Sequence, residues 1–152
     1  MRFKQIEDIL NWVTQFHLDV ENRYREMKES VEKERITMLL EYLADHEHAL
    51  ADAITRYKEN AQLSLLNTWF NQMPEINYKE KLNEILKSFS GSDTSEVVTI
   101  AIQCHDLLID LYKNLQLAND TPSSKDLFQE LINMEEHEKL RMVRDAGLLE
   151  DI

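Results

Sequence analysis

Glycine and proline are nearly missing from this chain, with two of each in 152 residues. Sheets and loop-rich folds need many turn residues, so the shortage excludes them as the main architecture. The richness in Leu, Glu, Lys, Ala and Met favours long helices instead. A single cysteine, Cys104, excludes an internal disulfide. Placed among apolar residues on a helical segment, it reads as a packing thiol, and a reducing cytoplasm is the expected compartment. No apolar run approaches the roughly 18 residues that span a bilayer, and no basic-then-apolar leader opens the sequence. A soluble, unprocessed protein with no membrane partner is therefore expected. Basic residues are also few, 17 Lys+Arg against 29 Asp+Glu for a net charge of −12. That acidity is spread along the chain, which repels phosphate backbones and excludes nucleic acid as a partner. Phosphate-binding glycine loops, serine nucleophiles with a base and CxxC metal knuckles are absent as well.

What is present is helical periodicity. Ile6, Ile9, Leu10, Val13, Phe16, Val20, Tyr24 and Met27 recur at steps of three and four, which predicts a first helix over roughly Lys4 to Glu29. Ser30 is placed to cap a second helix carrying Ile36, Leu39, Leu40, Leu43, Leu50, Ile54 and Tyr57. From about Glu59 to Ser92 runs a long connection, with Leu63 to Met73 expected to cover a flank of the bundle and a weakly helical stretch from Tyr78 to Phe89. Asp93 and Glu96 read as a capping box opening a third helix. Thr121 and Pro122 open a fourth, expected to end near Gly147. Two short turns and one long middle connection predict an all-α four-helix bundle, built as two antiparallel hairpins joined by a crossover that contains a short helix. The length fits a single domain, residues 1–152.

The two hairpins repeat each other. His17 is followed seven residues later by Tyr24 and thirty later by Glu47; His105 is followed in the same way by Tyr112 and Glu135. Both histidines lie beside apolar stripes, and Glu47, Glu135 and Glu138 fall on apolar lines of their own helices. Buried carboxylates are costly unless protonated, hydrogen-bonded, paired with a cation or bound to metal. Imidazole nitrogen and carboxylate oxygen are good ligands for first-row divalent metals, so His17, Glu47, His105, Glu135 and Glu138 form a candidate metal set. A second helix register would make Asp45, His48 and His137 the ligands instead. The bland reading of the same residues is a metal-free polar core in which His17 pairs with Glu47 and His105 with Glu135. For Tyr24 and Tyr112 core packing is the commoner fate, and His46 reads as solvent-facing or interfacial.

In layout the chain resembles the ferritin-like superfamily, particularly its rubrerythrin-like branch. That family places a ligand Glu on helices 1 and 3, often with an aromatic residue seven positions later, and a Glu-x-x-His pair on helices 2 and 4. Tyr24 and Tyr112 match the aromatic positions, and Glu47 and Glu135 match the first residue of each pair. His17 and His105 stand where the glutamates would be, and Leu50 and Glu138 where the pair histidines would be. The resemblance implies a degenerate centre for iron, manganese or zinc holding one metal or none rather than a normal di-iron site. With iron and an open coordination position it implies redox or oxygen chemistry; with a closed shell it implies a structural ion. The competing expectation is a metal-free helical interaction or scaffold protein. For either, a homo-oligomer, with a dimer favoured, is the default partner state.

Overall fold

The structure is a computed structural model and describes residues 5–70, 77–119 and 121–150. Four long helices carry it: α1 (Ile6–Glu29), α2 (Glu34–Asn60), α5 (Thr94–Ala118) and α6 (Pro122–Glu150). Two short ones, α3 (Leu63–Leu66) and α4 (Tyr78–Lys87), lie in the middle connection. Among the described residues there is no strand, only an isolated bridge between Gln5 and Trp69. α1 packs along α2, and α5 along α6. The short links between these packed partners make each pair antiparallel.

Lys33, just before α2, donates to the carbonyl of Ser92, just before α5, at 2.5 Å. Those two helices therefore start at the same end of the bundle, and the connection between them must travel its whole length. Leu66 from α3 and Tyr78, Leu82 and Leu86 from α4 are buried where the crossover lies against the bundle. Leu63 and Trp69 stay exposed, so this segment only partly covers the flank. Among its described residues the predicted crossover contains the short helices α3 and α4, and Met73 lies outside the described residues.

Helix boundaries show where local chemistry differs from expectation. The predicted start at Lys4 lies outside the described residues. Ser30 does not cap α2: its hydroxyl donates back to the Met27 carbonyl and closes α1, while Lys33 occupies the N-cap of α2. Asp93 does cap α5, accepting from the Glu96 N–H at 2.8 Å, a bond of the kind that contributes about 1 kcal/mol. The Glu96 side chain does not return to the cap; it accepts from the backbone N–H groups of Ser90 and Gly91 and shapes the preceding turn. Gly91 holds φ +78° there, a conformation that favours glycine. α6 continues through Gly147 to Glu150 instead of stopping at it. Leu149, beyond the glycine, packs against the core and gives the extra turn an apolar anchor.

No described helix is long and apolar enough to cross a membrane. The apolar stripes of α1, α2, α5 and α6 meet in one core containing Ile9, Val13, Val20, Leu40, Leu108 and Phe128. Several polar side chains are buried with them, and they define the site.

Candidate metal centre

His17 on α1, Glu47 on α2, His105 on α5 and Glu135 on α6 converge at the middle of the bundle, none more than 3 % exposed. Each comes from an inward line of its helix, so no loop is needed to aim it. His17 Nδ1 donates to Glu47 Oε2 at 2.5 Å, and His17 Nε2 lies 3.2 Å from Glu135 Oε1. His105 Nδ1 donates to Glu135 Oε2. The last ring nitrogen, His105 Nε2, stands 3.1 Å from Glu47 Oε1 but off the hydrogen-bonding direction, so it has no bonded partner. The four residues form a closed ring in which imidazoles and carboxylates alternate. Each half supplies one pair at the thirty-residue interval, and the other two contacts cross between halves.

The electrostatics follow from that alternation. Burial alone would lower the His17 pKa, but the Glu135 and Glu47 carboxylates outweigh it and hold it at about 9. His105 is raised in the same way by the same two acids. Burial alone would raise the carboxyl of Glu47, yet His17 and His105 hold it down at about 2, and Glu135 is lowered by the same pair. Near neutral pH the ring therefore carries two imidazolium and two carboxylate charges, which sum to zero.

Two tyrosines flank it. The Tyr112 hydroxyl donates to Glu135 Oε1 at 3.4 Å, a long bond, whereas the equally buried Tyr24 hydroxyl has no bonded partner. Burial raises both phenols, so they stay protonated. Burial likewise raises Cys104, next to Tyr24, which is therefore a packed thiol rather than a nucleophile.

Glu138 is buried but turned away from the ring. It accepts from His46 Nδ1 at 2.6 Å, and His46 lies against the Tyr42 ring with centroids 4.2 Å apart. His46 is thus half-buried and tied down rather than free in solvent. That pair, like the cross contacts of the ring, has no spacing signal in the sequence. The second helix register is not the one found: Asp45, His48 and His137 are all exposed, with His48 pairing the buried Glu21 at 2.9 Å. A groove of about 450 Å³ between α2 and α6, lined by residues including Met38, Tyr42, Asp145 and Leu149, contains none of the four ring residues.

Two bridged irons do not fit this donor set. Leu50 occupies one ligand address, Glu138 is committed to His46, and α1 and α5 contribute imidazoles in place of carboxylates. Two divalent cations on two carboxylates would also leave excess positive charge in a dry core. In charge and donor type the set matches one divalent cation. The orphaned His105 Nε2 marks a ligand direction with no competing hydrogen bond, and His17, Glu47 and Glu135 would complete the shell. One such ion in place of the two imidazolium protons leaves the net charge unchanged. Among the described residues no three donors share a common point as they stand, so binding would require the side chains to turn toward one point as well as to release their N–H protons.

No family model matches the chain, and no curated protein matches it. Among solved structures it is similar to a Thermotoga maritima protein named as a ferritin-like diiron-carboxylate protein. The identity is 19%, over 97% of this chain and 98% of that one, with a TM-score of 0.57. At that identity the likeness concerns the backbone, and it shows that this chain has the ferritin-like fold.

Proposed function

We propose that the chain is a ferritin-like bundle protein whose central quartet, His17, Glu47, His105 and Glu135, binds one divalent first-row cation in exchange for two protons. The observation that carries this reading is the convergence of four metal-ligand side chains from four helices in a dry, charge-neutral cluster. Well-packed apolar residues would serve stability as well or better, so a use accounts for the quartet better than folding does. The mixed set of two imidazoles and two carboxylates suits iron, manganese or zinc. Iron bound there would bring redox or oxygen chemistry, with the protonated phenols of Tyr24 and Tyr112 as hydrogen-bond donors at its edge. Those tyrosines, seven residues beyond each imidazole, also support placement in the rubrerythrin-like branch. The unpaired Cys104 supports a reducing cytoplasmic setting.

The charge balance of the ring favours a second reading, a metal-free scaffold whose polar core needs no ion for neutrality. Anaerobic reconstitution with iron(II), manganese(II) or zinc(II), followed by elemental analysis, separates the two. The proposal expects one ion per chain, lost when His17, Glu47, His105 and Glu135 are all replaced by Leu. Two ions per chain would overturn the one-ion reading in favour of a dinuclear site; none would leave the scaffold.

A further inference from the structure

The outer face of α6 carries a surface that the quartet does not use. One side of this helix is spent on Phe128, Glu135, Glu138, Met142 and Ala146, all buried. The opposite side exposes Glu136, His137, Leu140, Val143, Arg144 and Gly147 as a continuous line. Leu140 is 72% exposed and Val143 49%, although both are large apolar side chains. Nothing lies within 4 Å of where a side chain on Gly147 would begin.

We propose that this face docks a second copy of the same chain, α6 against α6 in antiparallel register centred on Leu140. The charges on the line select that occupant and that register. Glu136 lies four residues before Leu140 and Arg144 four after, so a twofold through Leu140 sets each Glu136 opposite Arg144 of the other copy, twice. His137 then faces Val143, and the open space at Gly147 admits the second helix closely. A parallel arrangement would set Glu136 on Glu136 and Arg144 on Arg144. Sliding the antiparallel register to centre on Val143 would remove both ion pairs. In the single chain these charges have only light engagements: Glu136 lies 3.5 Å from Lys139, and Arg144 bonds its neighbour Asp145 at 3.0 Å. Much of the remaining surface belongs to a molecule of charge −12 that repels its own copy. A seam of one helix is at the small end of stable interfaces, so the association is concentration-dependent rather than obligate.

The test is sedimentation of the full chain over a ~100-fold concentration range, which reads self-association and not metal content, so it stands apart from the quartet proposal. The wild type should pass from monomer to dimer. Leu140→Asp should abolish the dimer. Arg144→Glu and Glu136→Arg should each weaken it about tenfold or more, while the double variant Glu136→Arg/Arg144→Glu restores it. All three positions are exposed, so unchanged circular dichroism will confirm that each variant folds. A chain that stays monomeric throughout, a dimer indifferent to Leu140→Asp, or a charge swap without recovery would each overturn the proposal.

Discussion

Glu135→Leu lowers the free energy of unfolding by about 3–5 kcal/mol at pH 7, the usual cost of leaving a buried charge without its partner. Glu135 touches both imidazoles, at 3.2 Å for His17 and through the short bond from His105 Nδ1. Its loss leaves Glu47 to neutralise two rings, so one must give up its proton inside the core. The quadruple replacement His17→Leu, Glu47→Leu, His105→Leu, Glu135→Leu has the opposite outcome, a stability equal to the wild type or up to about 4 kcal/mol higher. Urea unfolding of the three proteins reads both numbers. A single variant within 1 kcal/mol of wild type would mean that the ring is not charged as described.

Stability against pH has a plateau set by the same four groups. His17 has a folded pKa of about 9 against an ordinary 6.5, so its contribution is complete below pH 6.5 and disappears as pH rises toward 9. His105 is raised too and acts in the same direction. Glu47 has a folded pKa of about 2 against an ordinary 4.5, so its contribution is complete above pH 4.5 and is lost as pH falls toward 2. Glu135 adds to that side. Both sets are fully present only between about pH 4.5 and 6.5, where the unfolding midpoint should be highest. From there to pH 9, His17 alone removes about 3 kcal/mol. Denaturant midpoints across pH 3 to 10 give the curve, and the quadruple leucine variant should lose most of its shape. Stability that keeps rising from pH 6 to 9 would be incompatible with buried imidazoliums.

The parts of this molecule legible in its residues are those governed by period and repetition. The four long helices follow from apolar residues at steps of three and four, and the long middle connection called for a crossover. His17, Glu47, His105 and Glu135 were identifiable because each half repeats the same interval between an imidazole and a carboxylate. What no spacing could show is how the halves meet. The contacts of His17 with Glu135 and of His105 with Glu47 turn two pairs into a ring, and they depend on how the two hairpins pack. Glu138 shows the limit at the scale of one turn. It lies three residues beyond Glu135 on the same helix, but the turn aims it at His46, and the pairing partner decided its role. Ser30 and Gly147 look like helix punctuation, yet each was overruled locally. A backward bond to Met27 engages the serine, and the packing of Leu149 carries α6 past the glycine.

At rest the quartet holds all four imidazole nitrogens protonated. Nitrogen-15 spectra of protein labelled at histidine, recorded at pH 7 without added metal, read that state at each ring nitrogen. Imidazolium signals are expected for both His17 and His105, converting to metal-bound neutral rings on one equivalent of zinc(II). A neutral tautomer in either ring before any metal is added would contradict it.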